Sequence, residues 1–292
     1  MNDFVLMTDS SCDLPGALAR SMELEVVPLT VLVDGVSYTN DLDGKSISSK
    51  AFYDLMRQIK PASTSAPSVG AFAAAMEPHL QAGRDLLYLG FSSALSAAYS
   101  AGELAARDLR EKYPERSILT VDTLCASLGQ GMLVYRTWER KRAGASLEEC
   151  AAFAEEQKHH QCHWFTVGDL SYLYRGGRVS RTTAILGTAL QVKPLMHCDD
   201  EGRLTKLGTV RGRKQSLLAL KDKLKETILE PQGQTIFISH GDCLEEAQFL
   251  AERIRAEVPV GEVIINPVGP VIGAHTGPGV MALFHVLSLI HI

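Results

Sequence analysis

The sequence has no apolar run long enough to cross a bilayer. The apolar stretch at the C-terminus, MALFHVLSLIHI, is shorter than the roughly 18 residues that a membrane span needs. The first residues, MNDFVLMTDSS, lack the basic start and the apolar core of a signal peptide. We therefore expect a cytoplasmic protein with no stable membrane insertion.

The sequence also lacks the common motifs of nucleotide sites and of hydrolases. It contains neither a GxxxxGK[ST] phosphate loop nor a GxGxxG dinucleotide motif, and it has no GxSxG nucleophile motif. Its six cysteines are scattered and include no CxxC pair, which is typical of reduced thiols in the cytoplasm. We predict no cofactor, and no nucleotide binding by this chain alone.

One cluster of metal-ligand residue types is present, HHQCH at residues 159–163. Adjacent residues point in different directions on a helix or a strand, and no second pair of ligands has matching spacing. We predict no metal site here. Whether the cluster binds anything else stays open at this point.

Size and charge describe an ordinary globular protein. The chain has 292 residues, of which 46% are hydrophobic and 22% charged, and its length suggests two domains. The net charge of −5 argues against nucleic acid as a partner.

Strand-like and helix-like segments alternate, which predicts an α/β protein. We place an N-terminal α/β domain with a largely parallel sheet at residues 1–164, and a smaller C-terminal α+β domain at 165–292. Asp34-Gly35 between two apolar runs predicts a hairpin. ASTSAPSVG after Pro61 and VIGAHTGPG near the end are expected to be loops.

Hydroxyl side chains cluster on two neighbouring strand-to-helix connections. Thr64 and Ser65 lie on one, and Ser93 and Ser96 lie on the other. Such groups can bind a carboxylate or phosphate oxygen by neutral hydrogen bonds, helped by helix N-termini. The alternative is that they only cap helices.

Positive charge is concentrated in the second half of the chain. The stretch from residue 168 to residue 181, GDLSYLYRGGRVSR, holds Arg175, Arg178 and Arg181, with a short helix stopped by two glycines and a further helix expected over 182–192. From Arg175 to Lys214 nine basic residues face only three acidic ones. The pattern indicates a site for an anion or an acidic partner, or else a solvated basic face.

The stretch GPVIGAHTGPG surrounds a single imidazole, His275, with glycine and proline. Backbone in such a segment can approach a ligand closely. The ordinary pKa of histidine suits proton transfer or contact with phosphate, although a solitary histidine is often structural.

Taken together, these segments resemble the DegV family of bacterial fatty-acid-binding proteins. The matching pieces cover nearly the whole chain in family order. They are TDSSCDLP, TSAPS, FSSALSAAYSAG, VDTLCASLGQG, LSYLYRGGRVS, VKPL, VRGRK, SHGD and GPVIGAHTGPG. Departures from the family pattern occur at Ala66, Ala94 and Ala97, where they leave the hydroxyl residues in place.

The resemblance implies two α/β domains with one long-chain fatty acid buried between them. It also implies that the chain is no enzyme by itself. It would act as the acyl-carrying subunit of a bacterial fatty acid kinase, whose separate ATP-binding subunit brings ATP and its metal and makes acyl-phosphate. The family match assigns the ligand carboxylate to Thr64 and Ser96, with Ser65 and Ser93 as weaker neighbours.

The same resemblance assigns Arg178, Arg211 and His275 to the mouth of the site or to productive contact with the kinase subunit. His275 would also contact the ligand, and Arg181 is a further candidate. Residues 71–76, 184–192 and 280–283 are candidate walls of the acyl tunnel, or equally ordinary core. Two other readings stay open: a lipid-binding regulatory sensor, and a self-sufficient hydrolase or transferase that uses His275 and a serine.

Overall fold

The computed structural model describes residues 4–58, 62–180 and 191–287. Arg181 lies outside these ranges, as does the helix predicted over 182–192 except at its end, where Val192 begins a strand instead. The described chain forms a two-domain α/β fold, as the sequence predicted. Its strands build three sheets, two in the first domain and one in the second.

The first sheet is parallel, with strand order β2-β1-β6-β7. Its strands are β1 Phe4–Asp9, β2 Glu25–Val27, β6 Asp85–Gly90 and β7 Ile118–Asp122. The helices of this domain are α1 Gly16–Ser21, α2 Ser49–Arg57, α3 Val69–Gln81, α4 Ala98–Lys112, α5 Leu128–Arg142 and α6 Leu147–Gln157. Apolar residues of α3 and α4 cover one face of the sheet, and those of α5 and α6 cover the other.

The second sheet is antiparallel, with order β4-β3-β5. It comprises β3 Leu29–Val33, β4 Val36–Asn40 and β5 Ala62–Ser65. The predicted hairpin at Asp34-Gly35 is confirmed, because both residues have positive φ and the strands on either side pair directly. The loop predicted after Pro61 is wrong for residues 62–65, which pair with β3 and so hold Thr64 on a strand.

The third sheet is mixed and has six strands in the order β10-β9-β8-β13-β11-β12. They are β8 Gln161–Thr166, β9 Val192–Cys198, β10 Leu204–Arg211, β11 Ile236–His240, β12 Val263–Pro267 and β13 Met281–Val286. The helices are α7 Ser171–Arg175, α8 Arg213–Thr227, α9 Leu244–Glu257 and α10 Pro270–Thr276. The domain boundary predicted after residue 164 falls inside β8, whose pairing belongs wholly to this sheet.

The predicted loop VIGAHTGPG is also wrong in its first half, because residues up to Thr276 form α10. Pro270 at the first turn of α10 has its φ fixed near the helical value and has no N–H that would lack a partner. His275 therefore stands in the last turn of a helix rather than in a loop.

Helix α5 joins the domains because its apolar residues pack in one cluster with both the parallel sheet and the inner face of the mixed sheet. The first turn of α5 can pack this closely against its neighbours only because two of its residues are glycines. A methyl group at Gly129 would lie 2.3 Å from Nε2 of His163 in β8, and one at Gly131 would lie 2.6 Å from the carbonyl oxygen of Cys12. The close approach of the domains thus depends on the sequence LGQG.

No helix within the described ranges is both long enough and apolar enough to span a membrane. All six cysteines are present as free thiols, four of them buried.

Gly131→Ala should lower the free energy of unfolding by about 1–3 kcal/mol, because its methyl group would meet main chain that cannot move alone. The measurement is urea unfolding followed by circular dichroism. Gly70→Ala is the matched control: Gly70 is also helical, but nothing lies within 3.4 Å of a methyl group there. That variant should be as stable as the parent or more stable by about 0.5–1 kcal/mol. Equal effects of the two substitutions would contradict the close contact at Gly131.

Candidate functional site

A cavity of about 280 Å³ lies between the two domains. Its lining is mostly apolar. Alternate residues of β8 and β13 face it, namely Phe165, Ala282 and Phe284, and Phe91 and Leu95 close it from the first domain. We call this space the interdomain cavity.

Polar side chains gather at one end of the interdomain cavity. Thr64 comes from β5, Ser96 from the segment before α4, Arg178 from the turn after α7, and His275 from α10. Thr64 Oγ1 and His275 Nε2 lie 2.8 Å apart and form a hydrogen bond across 211 sequence positions. The fold thus brings four of the predicted site residues into one place.

His275 is neutral at physiological pH. Burial lowers its pKa to about 4, and the nearby positive charge of Arg178 adds to that effect. Its Nδ1 is buried and has no hydrogen-bond partner among the described residues. A methyl group on Gly176 would lie 2.2 Å from Nδ1, so the main chain at Gly176 closes that side of the ring. The imidazole is therefore held with its Nε2 toward Thr64.

The glycine pair after α7 serves two separate needs. Gly177 has a φ of 71°, the left-handed conformation that ends the short helix as predicted. Gly176 has an ordinary helical φ of −74°, and its missing side chain instead leaves room for His275.

The hydrogen bonds of Arg178 go to carbonyl groups of the main chain. Its Nε and Nη2 donate to the oxygen of Leu95 at 3.2 and 3.0 Å, and its Nη1 donates to Gly176. No described carboxylate pairs with it, and burial alone lowers the pKa of the guanidinium. A half-buried, fixed positive charge without a counter-ion in the described chain can attract an anion.

A second depression, the outer mouth, lies on the other side of this polar group and holds about 500 Å³. It shares Thr64, Arg178 and His275 with the interdomain cavity and adds Tyr172 and Arg175. The guanidinium of Arg175 lies over the ring of Tyr172, 4.7 Å from its centre. The polar group thus separates an apolar interior from an outer space with two arginines.

The first turn of α10 is held from the other domain by a buried carboxylate. Asp13 Oδ1 accepts from the main-chain N–H of Gly269 at 3.0 Å, and its Oδ2 accepts from Ser127 Oγ at 2.6 Å. Burial raises the pKa of Asp13 to about 7. Ser127 and Ser239, whose hydroxyls lie 3.1 Å apart, also line the interdomain cavity. Asp13 therefore fixes the helix that carries His275.

Three predicted site residues do not line the interdomain cavity. Ser65 and Ser93 are exposed, and the N–H of Ser93 donates to Asp122. Arg211 ends β10 on the surface. The candidate wall at 71–76 packs against the parallel sheet instead, whereas Val280 and Ala282 do line the cavity.

Some residues that contribute to the site were not predicted from the sequence. The carbonyl of Leu95 has no sequence signature. Asp13, Ser127 and Ser239 lie in the motifs TDSSCDLP, VDTLCASLGQG and SHGD. The family resemblance of these motifs was the sequence signal that could have pointed to the three residues. Among the described residues, no group of three or more His, Cys, Asp or Glu side chains could hold a metal ion.

The sequence and the fold were compared with known proteins. A family model described as "Uncharacterised protein, DegV family" matches residues 3–287. A DegV domain-containing protein of Clostridium perfringens is 42% identical over 284 residues, which cover 97% of each chain.

Solved structures match as well. One is a DegV family protein of Thermus thermophilus, described for its fatty acid binding, with 31% identity and a TM-score of 0.86 over 98% of this chain and 99% of that one. Another is the B3 protein of a Streptococcus pneumoniae fatty acid kinase, loaded with linoleic acid. Its TM-score is 0.84 over 98% of this chain and 99% of that one, and at 21% identity it shows a shared fold.

Arg178→Met should raise the pKa of His275, because removing the positive charge makes the imidazolium less unfavourable. The pKa should stay below 6.5, since burial is the larger cause and remains. An NMR titration of the imidazole signals measures it. Arg175→Met, which removes an arginine from the outer mouth, is the control and should leave the titration unchanged. A lower or identical pKa in Arg178→Met would show that the two groups do not interact.

Proposed function

Because the chain belongs to the DegV family, we propose that it binds one long-chain fatty acid in the interdomain cavity and presents the carboxylate to the ATP-binding subunit of a fatty acid kinase. The observation that carries this proposal is the division of the site. An apolar cavity ends in the hydroxyls of Thr64 and Ser96, and the cationic outer mouth begins directly behind them.

The carboxylate is proposed to lie between Thr64 and Ser96. The tautomer in which His275 Nε2–H donates to Thr64 leaves the Thr64 hydroxyl free to donate to the ligand. In that tautomer Nδ1 carries only a lone pair, and buried acceptors lack partners more often than buried donors do. Neutral donors orient the carboxylate but leave one of its oxygens available to attack phosphorus. A bidentate arginine pair would hold both oxygens.

The acyl chain supplies the affinity in this proposal. Burying about 14 methylenes at ~0.8 kcal/mol each gives on the order of 11 kcal/mol before the costs of association. That is enough to retain a long-chain acid without a charged clamp. Phe165, Ala282 and Phe284 offer the apolar surface.

Arg178 has a different role in the proposal, which is to stabilise the phosphates brought to the outer mouth. Phosphoryl transfer needs positive charge around the transferred group. Arg178 is held by main-chain carbonyls near His275, where it can act without taking the carboxylate. Arg211, on the surface, is proposed to contact the kinase subunit. ATP and its metal belong to that subunit, so this chain is a carrier and not an enzyme by itself.

The kinase partner rests on the family resemblance of the motifs and on the name of the pneumococcal neighbour. A cytoplasmic location fits the six free thiols, since disulfides form in oxidising compartments. Reconstitution with ATP and a fatty acid kinase subunit tests the partner. Acyl-phosphate is expected, whereas fatty acid binding without any acyl-phosphate would identify a lipid sensor instead.

Thr64→Val combined with Ser96→Ala should weaken fatty acid binding about tenfold to a hundredfold, because two hydrogen bonds to the carboxylate are lost. Calorimetric titration with palmitate measures the change. Ser65→Ala combined with Ser93→Ala is the matched control, since these neighbouring hydroxyl residues are exposed. It should bind like the parent. Equal weakening of both double variants would place the carboxylate elsewhere.

Arg178→Ala and His275→Ala should each lower acyl-phosphate formation at least about tenfold, with palmitate affinity changed much less. Arg211→Ala should raise the concentration of kinase subunit needed for half-maximal rate. Arg255→Ala, exposed on α9, is the control and should leave both rate and binding unchanged. If the Arg178 and His275 variants lost the fatty acid but turned over normally when saturated, the proposed roles would be reversed.

A further inference from the structure

The mixed sheet opens at the end of the interdomain cavity that lies away from the polar group. Strand β8 pairs with β13 over its whole length, but its pairing with β9 ends at Trp164 and His197. Strand β9 continues instead beside β10, as far as the pair of Cys198 with Leu204. Beyond Trp164 the strands β8 and β9 therefore separate. We call the opening between them the slit, and its first residues are His163 and Cys198.

A further pocket of about 570 Å³ lies at the slit, and we call it the far pocket. Among the described residues, only His163 and Cys198 line both the far pocket and the interdomain cavity. Trp164 lines the far pocket although it is the neighbour of His163 on β8, so its side chain belongs to the opposite face of the sheet. The far pocket therefore reaches through the sheet.

The two residues that separate these spaces differ in their freedom to move. His163 is fixed, because a methyl group on Gly129 would lie 2.3 Å from its Nε2 and the ring of Phe284 packs edge-on against it at 5.3 Å. Cys198 is small, and its Sγ makes a weak hydrogen bond of 3.5 Å to the carbonyl oxygen of Leu124. The size of the side chain at position 198 thus sets the width of the slit.

The interdomain cavity is short for a long acyl chain. Its volume is about 280 Å³. An apolar protein cavity of roughly 150 Å³ holds one benzene molecule, which corresponds to about 25 Å³ for each carbon atom. By the same measure the interdomain cavity holds about 11 carbons, fewer than the sixteen of palmitate. The remainder of such a chain needs further space, and the far pocket adjoins the cavity at the slit.

The far pocket suits a hydrocarbon end. Leu124, Trp164 and Leu207 line it, and 46% of the surface of Leu207 is exposed, so a chain lying there would remove apolar surface from water. Two lysines also line it, but each pairs with a glutamate of its own helix or the turn beside it, Lys158 with Glu155 and Lys223 with Glu226. A hydrocarbon chain would not have to break either pair.

We propose that the end of a long acyl chain passes through the slit into the far pocket, and that Cys198 determines which chain lengths are bound. This inference rests on the proposed function, because it assumes a fatty acid whose carboxylate lies at Thr64. Chains of up to about 12 carbons end before the slit. Longer chains pass Cys198 and end against Trp164 and Leu207.

Photolabelling of the parent protein locates the chain end without any variant. The probes are two palmitate analogues, one with a diazirine at the end of the chain and one with a diazirine near its middle. After irradiation, mass spectrometry of the peptides should place the terminal label on the far pocket, at Trp164 or Leu207. The mid-chain label should be found on the interdomain cavity, at Phe165 or Ala282. A terminal label found only on residues of the interdomain cavity would overturn the proposal.

A larger side chain at position 198 should separate long chains from shorter ones. Cys198→Phe should weaken the binding of palmitate at least about tenfold and that of laurate, which has twelve carbons, less than about twofold. Calorimetric titration measures both affinities. Cys198→Ser is the matched control, since it nearly keeps the size of the side chain, and it should bind both acids like the parent. Equal weakening of both acids in a folded Cys198→Phe protein would contradict the role of Cys198.

The outcomes separate this inference from the proposed function. If the parent binds neither laurate nor palmitate, the proposed function fails. If the parent binds laurate but not palmitate, or if the terminal label stays inside the interdomain cavity, a fatty acid is still bound and only the passage through the slit is overturned. Should Cys198→Phe not fold, the photolabelling of the parent decides by itself.

Discussion

The hydrogen bond between Thr64 and His275 is the contact on which the arrangement of the site depends. It links a strand of the first domain to a helix of the second, at the boundary between the apolar cavity and the outer mouth. Other groups keep its geometry in place: Gly176 leaves room for the ring, and Asp13 holds the start of the helix. Each of these is unremarkable alone, but together they fix one imidazole orientation.

Positive charge is kept at the boundary of the interdomain cavity. His163 and His275 are both neutral because burial makes their charged forms unfavourable, and the one fixed cation at the boundary, Arg178 among the described residues, is anchored on carbonyls. In the proposed function this separation has a purpose. The ligand oxygen stays nucleophilic because neutral groups hold it, and the positive charge acts on the phosphate that arrives from outside.

Elements of secondary structure that depend on short stretches of sequence were predicted correctly. The Asp34-Gly35 hairpin is in place, and the alternation of strand-like and helix-like segments correctly predicts the two-domain α/β fold. Ser, Thr and Pro predict a loop at residues 62–65, but pairing with β3 makes this segment a strand. The family resemblance implied roles for Thr64, Ser96 and His275. No sequence pattern could predict that the missing side chain of Gly176 leaves room for the ring of His275, because the two residues meet only in the folded chain. His163 belongs to the HHQCH cluster, for which no metal site is predicted, and the alternation of side chains along β8 places it on the same face as Phe165.

The most direct test of the account is a crystal structure of the protein with palmitate. One carboxylate oxygen should lie about 3 Å from both Thr64 Oγ1 and Ser96 Oγ, with the chain running along Phe165 and Phe284 and the guanidinium of Arg178 still bound to the carbonyl of Leu95. A carboxylate held in a bidentate pair by Arg178, or a fatty acid outside the interdomain cavity, would contradict it.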